Sequence, residues 1–164
     1  MKELLDIVET MNTKVEDIKW TTKGHINKGI YKLGDDTIEI YLEEYETKFG
    51  SFVDFGFAVN GSIQAQNNPN IRRERLIGSV LNGAAPMLIK LDPDVIMVSV
   101  NKGTGMIEGR KSLYATIISW FMKRSHYTYR RDWVENSVGF YSLIAKHQLS
   151  DEAEQTFINT VKQK

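Results

Sequence analysis

Between Pro93 and Arg124 the chain reads PDVIMVSVNKGTGMIEGRKSLYATIISWFMKR. Val95 to Val100 is an apolar run of β-branched residues and Met, short enough for a strand and followed at once by glycines. A strand apolar on both faces belongs inside a sheet, covered on both sides. Lys102, Gly103, Gly105 and Gly109 predict a loop after it. A helix is expected from near Arg110, because Leu113, Ile117 and Phe121 recur at helical spacing with Tyr114 and Ile118 on the adjoining row.

Outward from this unit the period changes with position. Leu4, Leu5, Val8 and Met11 form a helical stripe that Asn12 or Thr13 ends. From Ile18 to Val59 the period is two. Ile38, Ile40 and Leu42 share one strand face, Thr37, Glu39, Tyr41 and Glu43 the other, and Val53, Phe55, Phe57 and Val59 alternate with Asp54, Gly56 and Ala58. Turn residues at Lys23–Gly29, Gly34–Asp36 and Lys48–Ser51 divide the region into three or four antiparallel strands. A polar stretch from Asn60 to Asn70 includes a short expected strand over Ser62–Gln66. The stripe Leu76, Val80, Ala84, Leu88, Leu91 then predicts a helix from Ile71 to Leu91. Pro86 lacks an amide hydrogen and crowds the Asn82 carbonyl, which predicts a kink or break near Asn82-Gly83. Tyr127–Trp133 and Val138–Lys146 read as a hairpin, and Ser150 as the cap of a last helix with Ala153, Phe157 and Val161 facing inward. The element order gives an α+β fold in one domain spanning residues 1–164.

At this length a chain buries about 68 to 70% of its unfolded surface, so the core needs no staples. It has none to offer, since cysteine is absent. That removes disulfides, thiolate metal sites and a cysteine nucleophile, and fits a reducing compartment. The 21 basic and 21 acidic residues cancel, leaving no net field to draw in nucleic acid or a membrane, so any electrostatic site is local. The acidic, amphipathic start is unlike a signal peptide or membrane span, and a cytoplasmic protein is expected.

A local site does stand out. The start of a helix carries about half a positive charge, so acids belong in its first turn. Here Arg72, Arg73 and Arg75 open one expected helix, Arg110 and Lys111 open the other, and Lys102 lies just before the second. If the strands before these helices run parallel, both starts emerge at one edge, where amides, dipoles and cations converge on an anion. Gly103, Gly105 and Gly109 would let a backbone approach such a ligand closely. The segment is not a phosphate loop of known type. Thr104 stands where GxxxxGK[ST] needs its first glycine, Arg110 precedes Lys111-Ser112, and the GxGxxG spacing is also missing. His25, His126 and His147 lack metal-ligand spacing, and no GxSxG elbow supports a hydrolase.

The order of antiparallel strands, helix, central strand, helix and hairpin, with Arg110-Lys-Ser-Leu-Tyr114 opening the helix after the central strand, resembles the GNAT acyltransferase fold. That resemblance implies a central mixed, mostly antiparallel sheet flanked by helices on both faces. The segments VLNGAAPMLIKLDPDVIMVSV and GRKSLYATI are similar to small accessory proteins of tailed bacteriophages, which implies a host-cytoplasmic setting. In GNAT enzymes a tyrosine of the second helix commonly protonates the departing thiolate, and Tyr114 matches that position. Only Arg75-Leu-Ile-Gly78-Ser-Val resembles the family's pyrophosphate motif, and it falls inside the expected helix. The resemblance therefore implies an accessory or inhibitor protein binding an anionic small molecule or a host macromolecule, with no cofactor. The alternative is an active N-acyltransferase using acetyl-CoA, with Tyr114 as acid and Glu39 as base.

Overall fold

Alternation between Ile18 and Val59 becomes four strands, β1 (Lys19–Lys23), β2 (Ile26–Leu33), β3 (Asp36–Thr47) and β4 (Gly50–Val59), each antiparallel to the next. The structure, a computed structural model, describes residues 15, 17–62, 72–103 and 105–162. Gly24 and Gly34 take φ of 61° and 63° in the first two turns, where a Cβ would be strained. The first turn is only Gly24-His25, so Asn27 and Gly29 belong to β2. Gly29 is small because Ile18 and Trp20 pack where its side chain would stand.

The chain crosses through α1 (Arg73–Leu91) to β5 (Val95–Asn101), and α2 (Ile107–Arg124) leads on to β6 (Tyr129–Glu135) and β7 (Gly139–Ala145). The last described element is α3 (Asp151–Lys162). The seven strands form one mixed sheet in the order β1-β2-β3-β4-β5-β7-β6, antiparallel at every step except β4–β5. A parallel step needs a crossover longer than a hairpin, and α1 supplies it.

β5 lies inside the sheet, as its apolar composition requires, and its side chains divide by parity. Ile96, Val98 and Val100 join Leu76 and Val80 of α1 and Leu113 and Ile117 of α2 in one buried cluster. Val95 and Met97 join Ala153, Phe157 and Val161 of α3 in another. Each of these side chains larger than alanine contributes about 1.5 to 3 kcal/mol by its burial. Differences in helix propensity are a few tenths of that per residue, so packing on the sheet, more than propensity, holds the helices. Ser150 starts α3 as read, its Oγ accepting the Ala153 amide at 3.2 Å.

Two helix expectations are corrected. α2 begins at Ile107 rather than near Arg110, because Met106 turns to a left-handed φ of 59° just before it. Gly109 is therefore a helical residue, not a loop residue, and Arg110 sits about one turn in. α1 also runs unbroken through Pro86. Pro86 is exposed and Asn82 half-buried, so the carbonyl that loses its amide partner lies toward solvent. The stripe at Leu4–Met11, Ile71 and most of the strand expected over Ser62–Gln66 fall outside the described residues. Ser62 bridges back to Val59.

Candidate functional site

β4 and β5 pair only from Phe52↔Val95 to Phe55↔Val98. Beyond that point β4 continues against β3, and β5 against β7, so the sheet parts between them. Two small residues, Gly56 and Ser99, stand where the pairing ends. Because α1 follows β4 and α2 follows β5, both helices start at this parted end. Arg73, the first residue of α1, donates from Nη2 to Ser112 Oγ in α2 at 2.9 Å. The two cationic starts are therefore neighbours.

The cations gathered there play different parts. Arg72, Arg73 and Arg75 are exposed. Arg110 turns inward and is 3% exposed. With Tyr114, one turn later on the same helix face, it lines a hollow of about 230 Å³ whose other walls include Asp54, Gly56, Ser99 and Asn101. The Tyr114 ring packs edge-on against Phe55 and Phe57, with centroids 6.4 and 5.7 Å apart. Its hydroxyl lies 3.9 Å from the position a Cβ would take on Gly56, which puts it at the gap between the strands. A second hollow of about 220 Å³ shares Asp54, Ser99 and Asn101 and continues to Gly139 and Tyr141. Together the hollows form a cleft across the parted end.

Lys102 and Lys111 serve mainly to fasten the β6–β7 hairpin. Lys102 Nζ is 2.7 Å from Glu135 Oε1 and 5.4 Å over the Phe140 ring. Lys111 Nζ lies 4.4 Å over the same ring, 5.6 Å over Trp133 and 3.7 Å from Glu108. The hydrogen bond from Lys102 holds the Glu135 carboxyl below its usual range. Gly103 and Gly105 are exposed in the loop, and Gly109 is half-buried in the first turn of α2. Neither α1 nor α2 has a side-chain cap at its start, so neither set of first-turn amides is answered in that way.

Glu39 touches the hollow only through Tyr41, which lines it. Its carboxylate accepts the Tyr41 hydroxyl and lies 3.4 Å from Lys28 Nζ, and it is not among the residues lining the hollow with Tyr114. Burial first, then the Glu39 bond and charge, push the Tyr41 phenol up to about 12. Glu43 does line that hollow, and accepts the Tyr45 hydroxyl at 2.7 Å. Asp54, Gly56, Ser99 and Asn101 were not legible as site residues, because Asp54 and Gly56 read as residues of an alternating strand and Ser99 and Asn101 as part and end of an apolar run. Only the register, which parts β4 from β5, gives them a shared role.

His25 lies 3.9 Å from Glu43 and His126 lies 3.5 Å from Asp92, each with a single carboxylate. Among the described residues no group of three or more His, Asp or Glu gathers to hold a metal. No described helix is long and apolar enough to cross a membrane. Compared with known proteins, the chain matches no family model, no curated protein and no solved structure.

Proposed function

We propose that the chain binds an anionic ligand at the shared opening of α1, α2 and the β4/β5 cleft, without catalysing a reaction on it. In this reading it is a phage-type accessory or inhibitor protein on a degenerate GNAT-like scaffold, with helices on both faces of the sheet. The ligand is a small phosphate-bearing molecule or the anionic surface of a host macromolecule. The observation that carries the reading is the Arg73–Ser112 hydrogen bond, which joins the two cationic helix starts. Around that bond the helix starts have no side-chain caps, Arg72 and Arg75 are exposed on either side of Arg73 in sequence, and Arg110 lies about one turn into α2 in the hollow with Asp54 and Glu43; helix dipoles and the exposed cations favour an anion at such starts.

Two placements favour binding without turnover. Glu39 is engaged by Tyr41 and Lys28 and does not itself line the hollow with Tyr114. The half-motif Arg75-Leu-Ile-Gly78 is helical, so the Gly78 amide is spent inside α1 and cannot cradle a pyrophosphate.

A second reading, an N-acyltransferase using acetyl-CoA, is favoured by one observation, the Tyr114 hydroxyl at the gap beside Gly56. The parted strands fit a slender chain there, and Arg73 and Arg75 would hold its phosphates. The cofactor would supply an activated acyl group, and Tyr114 would deliver a proton to the departing sulfur.

Isothermal titration with acetyl-CoA, CoA and inorganic pyrophosphate, paired with a turnover assay on a model amine, tests both. Micromolar binding without turnover, weakened about tenfold or more in Arg73→Ala, supports the first reading. Turnover that disappears in Tyr114→Phe while affinity persists replaces it with the second. Failure of all three anions to bind removes the second reading and the small-molecule form of the first, leaving only a host macromolecule as the ligand.

A further inference from the structure

β4 and β5 send their side chains to two different faces of the sheet. Val53, Phe55 and Phe57 join the cluster packed with α1 and α2, while Phe52, Val95 and Met97 join the one packed with α3. By the period of two, Asp54, Gly56 and Ser99 belong to the α3 face, as do Tyr41 and Glu43, which stand opposite Gly56 and Asp54 on β3. The hollow of about 230 Å³ takes walls from both sets, Phe55, Phe57 and Tyr114 from one side and Glu43, Asp54 and Ser99 from the other. It is therefore a slot that passes between the parted strands from one face to the other.

The chemistry of that slot differs from the cationic mouth above it. Ionised Glu43 and Asp54 only accept hydrogen bonds, Arg110 only donates them, and Ser99 does both. A bare anion in the slot meets two carboxylates for one guanidinium, and an ammonium meets the buried guanidinium. Hydroxyl groups carry no charge, and each both donates and accepts, so they suit every one of these walls. The Glu43 side chain is 21% exposed, and Tyr45 takes one of the roughly four bonds a carboxylate accepts.

We infer that the slot takes the hydroxylated body of a sugar phosphate, whose phosphate stays at the mouth with Arg73. Its hydroxyls donate to Glu43 and exchange bonds with Ser99. The inference rests on the anion reading in its small-molecule form and narrows it.

Ribose 5-phosphate, pentyl phosphate and 5-aminopentyl phosphate share a phosphate ester and a five-carbon body, and differ in what that body carries. Each is titrated calorimetrically into the full chain, beside inorganic pyrophosphate, in wild type, Glu43→Gln and Ser99→Ala, with thermal melting confirming that the variants fold. Ribose 5-phosphate should bind at least about tenfold more tightly than pentyl phosphate, the worth of about two hydrogen bonds. Glu43→Gln and Ser99→Ala should each weaken it about fivefold and should not weaken pentyl phosphate. If ribose 5-phosphate gains nothing over pentyl phosphate, binds less tightly than the amine, or loses affinity in neither variant, the inference is overturned, while binding of pyrophosphate keeps the anion reading. If pyrophosphate and all three esters fail to bind, the small-molecule reading falls and takes this inference with it.

Discussion

Arg110 shows what a residue's neighbours add to its identity. In the sequence it is one of two cations opening a helix; in the fold it is buried, one turn before Tyr114, at the gap between β4 and β5. Its neighbour Lys111 turns the other way, onto Phe140 and Trp133. Residue type did not distinguish them, because the difference is one of helical phase. Arg110→Gln keeps the polar stem but removes the charge. It is expected to weaken pyrophosphate at least tenfold, as read by titration, whereas Lys111→Gln should weaken it less than threefold, since that charge serves the hairpin. Gly139 gives a stability prediction at the same scale. A Cβ there would overlap the Val100 carbonyl of the neighbouring strand, a contact that backbone cannot easily relieve. Gly139→Ala should therefore destabilise the protein by about 1 to 3 kcal/mol in urea unfolding.

Elements were legible where the apolar period was long. The alternation of β3 and β4, the apolar run of β5 and the stripe of α3 all appear where the residues place them, because burial of one face or both fixes the period. The failures came where punctuation competes with packing. Pro86 was expected to break α1, yet Leu76, Val80, Ala84 and Leu88 bury one continuous side, and that outweighs a single lost hydrogen bond on the exposed side. Pro86→Ala should restore the bond and raise stability by about 1 to 3 kcal/mol, visible as a higher urea midpoint; an unchanged midpoint would show that the helix had already absorbed the defect. α3 supplies the opposite case. Phe157 is fully buried against Phe52, with ring centroids 5.1 Å apart. Phe157→Ala should cost about 3 to 5 kcal/mol.

The whole molecule couples its core to pH through buried phenols. Burial, opposed by the Ser79 hydrogen bond, pushes Tyr31 above its ordinary value. Burial, followed by Asp92 and Asp94, does the same for Tyr127, whose hydroxyl donates to the Pro93 carbonyl at 2.6 Å. These groups keep their protons when folded at a pH where the unfolded chain has lost them. Above about pH 10 the unfolded state binds fewer protons, so stability is fully present below that point and falls as pH rises. Urea unfolding at about pH 8 and about pH 11 should show the fall, and Tyr31→Phe should reduce its slope while costing about 1 kcal/mol at the lower pH.

At this scale the sheet's parallel step was visible only as a condition on the cationic helix starts. Its register, which opens the cleft, was hidden because pairing between distant strands leaves no local pattern. The most direct test is an amide NMR titration of the intact chain with inorganic pyrophosphate. A joint site predicts that Arg73, Gly103, Gly105, Arg110 and Ser112 shift together along one saturating curve, and that Arg73→Ala suppresses the shifts on α2 as well as those on α1. Shifts confined to one helix start, or α2 shifts that survive Arg73→Ala unchanged, would contradict it.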